Sequence, residues 1–220
     1  MAADFVVLAV AIVLAIAVLA AMILGITTLL WFGVQLASIP GIVVHEFAHK
    51  KACDLVGVPV LEVVYFRFGT PSGYVRHTQP DRYRESFVIS VAPFLVNTVV
   101  SMAAFLGLAA LVTAVGTEGA PPGELLAAIW TASRETLALA VVLCWLGLSV
   151  GMQAFPSTGD ANTLWTRSRS EWRRSPVVLL AVPFVLVIYV ANLLSWLWAD
   201  VLYAVGLGIV AFYAVGAFGV

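Results

Sequence analysis

The chain has 220 residues, 62% of them hydrophobic and 10% charged, with a mean hydropathy of +1.05. Soluble domains are about half apolar and about a quarter charged, and a chain this short has no core large enough to hide the surplus, so its natural solvent is lipid. A net charge of −1 offers no footprint for nucleic acid, and Cys53 and Cys144, both in or beside apolar segments, argue against a disulfide framework.

Crossing the hydrocarbon core takes about 20 apolar residues in a helix. Stretches of that kind run over 5–24, 28–54, 86–115, 135–155, 176–198 and 201–220. The expected fold is an all-α polytopic membrane protein with about six transmembrane helices. The leader before the first stretch carries Asp4 and no Lys or Arg, so that stretch reads as a retained membrane helix and not as a signal peptide. The last two stretches are separated only by Ala199 and Asp200.

Charge placement orients these spans. Lys50, Lys51, Arg67, Arg76, Arg82 and Arg84 fall between the second and third, and Arg167, Arg169, Arg173 and Arg174 between the fourth and fifth. Six spans put both loops on one side, and the loop opposite, near 116–134, holds Glu118, Glu124 and a single Arg. The positive-inside rule then places the basic loops and both termini in the cytoplasm of a multi-pass cell-membrane protein. Within the first basic loop, residues 61–68 are rich in β-formers, 69–73 read as a turn, and 74–78 can return as a second strand. A short β-hairpin at the membrane surface is expected there.

Near the end of the second span stands His45-Glu46-Phe47-Ala48-His49. On a helix, residues four apart share a face, so both imidazoles can reach one Zn²⁺ at about 2.0–2.1 Å. Glu46 can then act as general base toward the water that the metal activates. Three ionisable groups on one apolar helix are costly unless they serve a function. Zinc needs a third protein ligand and an open position. Asp160, after Pro156 and Gly159, would complete a His₂-carboxylate set, and His77, at the end of the second strand, a His₃ set; zinc chemistry alone leaves both open. Asp160, with Ser157 and Thr158, also suits a helix cap. Asn97, inside the third span after Pro93, can donate to a developing oxyanion or bond a neighbouring helix.

These segments resemble the site-2 protease family of intramembrane zinc metalloproteases. The likeness begins at His45-Glu46-Phe47-Ala48-His49-Lys50-Lys51-Ala52 and runs to Gly57, since an Ala and a Gly follow the zinc motif of that family at similar offsets. Val91-Ala92-Pro93-Phe94-Leu95-Val96-Asn97 is similar to its Gly-Pro-x-x-x-Asn-like segment, with Ala92 in place of Gly. Phe155-Pro156-Ser157-Thr158-Gly159-Asp160 is similar to its Pro-rich segment ending in Leu-Asp-Gly, with Gly159 and Ala161 flanking the Asp. The resemblance spans about 43–162. It implies a single transmembrane domain over 1–220, with a catalytic core at about 28–162 and accessory helices at 1–27 and 175–220. It further implies one Zn²⁺ per chain on His45, His49 and Asp160, Glu46 as the catalytic base and Asn97 in contact with substrate. The substrate would be a transmembrane protein or peptide met within the lipid bilayer. Readings of another class are a zinc-binding membrane transporter or sensor, and a non-catalytic membrane scaffold. A transport path would show several ligand clusters through the membrane depth, whereas the sequence shows one.

Overall fold

The computed structural model describes residues 2–116, 122–171, 178, 182–195 and 198–218. It is mostly helical with one small two-stranded antiparallel sheet, and four helices are long and apolar enough to cross a membrane. The chain divides into two units, Met1–Ala37 and Ser38–Val220.

The first unit is one helix, α1 (Ala2–Ala37). The sequence reading ended this helix at residue 24, but it continues without a break. The Thr27 and Thr28 hydroxyls donate back to the carbonyls of Ile23 and Leu24 at 2.7–3.0 Å, so they are satisfied inside the helix and no turn is needed. At 36 residues α1 is about 54 Å long, against about 30 Å of hydrocarbon core.

The second unit opens at Ser38 with α2 (Ile39–Val56), whose Pro40 sits in the first turn, where its missing N–H leaves nothing unpaired. Gly57 ends the helix at φ +76°, a left-handed conformation that glycine adopts without steric penalty. Its N–H and that of Val58 close onto the carbonyls of Asp54 and Cys53. The hairpin follows, as β1 (Val60–Val64) and β2 (Tyr74–His77). Val60 pairs with His77, Glu62 with Arg76, Val63 with Val75 and Val64 with Tyr74, with an irregularity between Val60 and Glu62. Strand β1 stops four residues short of the expected Phe68, so the connection is longer than a tight turn. The Tyr74 hydroxyl and Arg76 both donate to Glu62, at 2.8 and 2.9 Å, and hold its carboxyl below the usual carboxylate range.

Helix α3 (Tyr83–Val115) starts on a capping box, with Glu85 accepting from the Arg82 backbone N–H, and carries Pro93 in its interior. The segment read as an outer loop contains α4 (Pro122–Thr131). Then come α5 (Arg134–Met152), α6 (Thr158–Glu171), α7 (Val182–Ser195) and α8 (Ala199–Phe218). Helices α1, α3, α5 and α8 are the four of spanning length and apolarity. Helix α2, with 18 residues interrupted by Glu46, Lys50, Lys51 and Asp54, is not among them. Of the expected span 176–198, residues 176, 177, 179–181, 196 and 197 lie outside the described residues, as do Glu118, Arg173, Arg174, Gly219 and Val220.

Helix α3 is the hub, packing against α2, α5, α6 and α8. Gly147 and Gly151, one turn apart on α5, let these helices approach closely. A Cβ on Gly147 would lie 2.8 Å from the Phe105 ring, and one on Gly151 would lie 2.8 Å from Ser101 Oγ and 2.9 Å from Ala204. Small residues at this spacing are the usual device of membrane helix packing. Two apolar clusters flank the hub. Ala52, Cys53, Val58 and Ile89 join α2 to α3, and Ala161 and Leu164 of α6 meet Val185 and Ile188 of α7. Both cysteines are free thiols.

Candidate metal centre

His45 and His49 lie on one face of α2 with ring centroids 4.9 Å apart and planes at 72°. Asp160, in the first turn of α6, brings Oδ2 to 3.6 Å from His49 Nε2. One ligand atom from each of the three falls within 4.8 Å of the others, and this is the one such group of His, Cys, Asp or Glu among the described residues. Tetrahedral zinc with ligands at about 2.0–2.1 Å separates ligand atoms by about 3.3 Å. The His49–Asp160 pair, at 3.6 Å, is near that value, and no pair stands farther apart than 4.8 Å.

Ring orientation follows from the far nitrogens. His45 Nδ1 donates to the carbonyl of Gln153 at 2.7 Å, and His49 Nδ1 to the carbonyl of Ile89 at 2.9 Å. A carbonyl can only accept, so each ring carries its proton on Nδ1 and presents a bare Nε2 lone pair, as metal-bound histidines do.

Asp160 caps a helix and also faces the histidines. Its Oδ2 accepts from the Ser157 N–H at 3.0 Å and from Ser157 Oγ at 2.6 Å, while its own N–H donates to Ser157 Oγ at 3.2 Å. That reciprocal pair is a capping box for α6, and the same carboxylate turns toward His49. The helix itself is tied down further along. Arg167 donates to the backbone carbonyls of Pro80 and Asp81 and to Ser86 Oγ, and pairs with Glu171 at 3.1 Å; the Tyr83 and Ser168 hydroxyls share a hydrogen bond. In the sequence Arg167 stood out only as one of the basic loop charges, because its partners at Pro80, Asp81 and Ser86 are more than 80 positions away.

A cavity of about 560 Å³ surrounds the centre. His45, Glu46, His49, His77, Asp160 and Asp200 line it together with hairpin residues 71–75, and no Lys or Arg does among the described residues. Three carboxylates around one half-buried cavity repel each other unless a cation joins them. The donor set therefore fits a divalent metal. Glu46 is only 8% exposed and makes no hydrogen bond or ion pair among the described residues, so its carboxylate is available to a water in the cavity. Gly73 of the hairpin lies directly over it: a Cβ there would fall 2.7 Å from Glu46 Cγ.

The remaining sequence candidates sit as follows. His77 lines the cavity but is outside the three-residue group, and its Nδ1 donates to the Thr78 carbonyl at 2.7 Å. Asn97 is fully buried and does not line the cavity. Its amide nitrogen donates to the Gln153 carbonyl at 2.9 Å and lies 3.3–3.4 Å from those of Val150 and Gly41. Gly41 escaped the sequence reading altogether. Its N–H donates to Ser149 Oγ at 3.0 Å, and a Cβ there would lie 2.0 Å from the Ser149 carbonyl oxygen, so α2 reaches α5 only because this residue has no side chain. The Ile-Pro-Gly run ahead of the motif was the available signal. No family model, curated protein or solved structure matches this chain, so the reading of the site rests on its own residues and geometry.

Proposed function

We propose that the chain is an intramembrane zinc metalloprotease of the site-2 protease type, hydrolysing peptide bonds of membrane-spanning or membrane-inserted substrates. The observation that carries this reading is the convergence of His45, His49 and Asp160 in a cavity that also holds Glu46 and is bordered by a β-hairpin. Two imidazoles and a carboxylate are a usual catalytic zinc set with one position left open. When bound, the metal supplies Lewis acidity to the scissile carbonyl. Glu46 accepts a proton from the attacking water as its oxygen bonds to the carbonyl carbon. It then delivers that proton to the departing amine nitrogen as the C–N bond breaks. A helical peptide bond is shielded, so the substrate must be extended at the cut site. Either strand of the two-stranded hairpin offers an edge to which such a segment can add. The basic residues of the hairpin loop and of α6 favour a cytoplasmic side for this face.

The test is zinc content and cleavage measured together in detergent. Wild type should hold about one zinc per chain and cleave a model transmembrane substrate. His45→Ala and Asp160→Ala should lose the metal, and His77→Ala should keep it. Glu46→Gln should keep the metal and lose about 10²- to 10⁴-fold in rate. Full-rate cleavage by Glu46→Gln, or by metal-free protein, overturns the reading.

A further inference from the structure

Both candidate ligand histidines are oriented by backbone carbonyls left without a helical partner, one in α3 and one at the end of α5, and a residue of α3 acts on each. Inside a helix, each carbonyl normally accepts from the N–H four residues on. The residue four beyond Ile89 is Pro93, which has no N–H and whose ring crowds the carbonyl of the preceding turn. Ile89 C=O is thereby vacated within an otherwise regular helix, and His49 Nδ1 takes it at 2.9 Å. Gln153 caps the end of α5, so its carbonyl is one of those a helix terminus leaves unpaired. It receives His45 Nδ1 at 2.7 Å and Asn97 Nδ2 at 2.9 Å. Pro93 and Asn97 are one turn apart on the same face of α3, and both are fully buried.

The chemistry of Asn97 supports this division of labour. Its amide nitrogen faces three carbonyls, from α2 and α5, while its Oδ1 is buried with no hydrogen-bond partner among the described residues. An unpaired buried acceptor is costly, and an apolar residue of similar size would pack here without that cost. What the Asn adds is its donors, the shortest of which goes to the carbonyl that orients His45.

We infer that Pro93 and Asn97 are positioning residues for the metal centre: Pro93 frees the Ile89 carbonyl to aim His49, and Asn97 holds the Gln153 carbonyl that aims His45. The inference rests on the metal-binding reading above and deepens it. Neither residue lines the cavity, so their loss should act on metal affinity and geometry. In Pro93→Ala the restored N–H competes for Ile89 C=O. In Asn97→Leu the Gln153 carbonyl loses its second donor at nearly constant volume.

The experiment uses full-length protein in detergent, with Zn²⁺ affinity measured by competition with a chromophoric chelator and ligand geometry by the visible absorption of the Co²⁺-substituted protein. The control is Ser101→Ala, which removes an equally buried α3–α5 hydrogen bond, Ser101 Oγ to the Gly147 carbonyl at 2.7 Å, with no link to a histidine. Pro93→Ala and Asn97→Leu should each weaken Zn²⁺ binding about 10- to 100-fold and alter the Co²⁺ spectrum. Ser101→Ala should do neither, even if its thermal midpoint falls as far. If Asn97→Leu does not fold, Asn97→Ala serves in its place. Wild-type affinity and spectrum in both test variants, or equal weakening in Ser101→Ala, would overturn the inference while leaving the metal centre standing. A wild type that binds no zinc would instead overturn the metal reading, and this inference with it.

Discussion

His49 stands at the crossing of three helices: its backbone belongs to α2, its Nδ1 is held by α3, and its Nε2 faces the carboxylate from α6. A residue held this way has one orientation, which is what a catalytic metal site requires of its ligands. Glu46, three positions before it in the chain, is held differently: it is enclosed but has no hydrogen-bonding partner among the described residues, and what limits its position is the backbone of Gly73 above it. Gly73→Ala puts a Cβ 2.7 Å from Glu46 Cγ and 3.0 Å from Ile42 Cγ2, so either the hairpin turn or the carboxylate must move. Zinc content should stay at the wild-type level while cleavage falls about 10- to 100-fold, as expected when a catalytic group is displaced by about an ångström. Paired zinc and rate measurements on the one variant check this.

At the scale of elements, α6 is the piece that completes the candidate site, because it alone brings in one of the three grouped side chains from outside α2. Its start is fixed by the Ser157–Asp160 capping box and its later turns by Arg167 and Ser168. The Arg167 side chain is only 13% exposed and bridges α6 to the segment that opens α3. Arg167→Ala should cost about 2 kcal/mol, since charged hydrogen bonds to buried acceptors are lost, and should weaken zinc binding because Asp160 is no longer held. Thermal melting and chelator competition read the two effects separately. Arg167→Lys should recover little, because an ammonium cannot span the several acceptors that the guanidinium fork reaches. The hairpin is held more lightly, with exposed Glu62 and Arg76 and half-buried Tyr74 providing its cross-strand ties.

For the whole molecule, the metal would join α2 to α6 across 111 positions of chain, from His49 to Asp160. A ligand that binds only the folded state stabilises it by mass action, about 2.7 kcal/mol at a free concentration 100 times its Kd. Stripping zinc with a chelator should therefore lower the thermal midpoint of Ser38–Val220, and added Zn²⁺ should restore it. Scanning fluorimetry checks this, and an unchanged midpoint would mean that the two helices are held together without a metal. Around the site the small residues Gly41, Gly147 and Gly151 set how closely α2, α3, α5 and α8 approach, and so how far the ligands stand from one another.

What the sequence determined by itself was whatever depends on near neighbours in the chain. The His45–His49 pair follows from helical spacing, the stop at Gly57 from the conformational freedom of glycine, and the hairpin from β-formers flanking a turn. The membrane character follows from composition, which needs no geometry. The tertiary structure decided the rest. It carried α1 past residue 24 to Ala37, folded 122–131 and 158–171 into helices, and set His45, His49 and Asp160 within 4.8 Å while leaving His77 at the cavity wall. It also chose the acceptors for the histidines, 108 and 40 positions away. Hydrogen bonds and close packing depend on distance in space, and that distance exists only once the helices have packed.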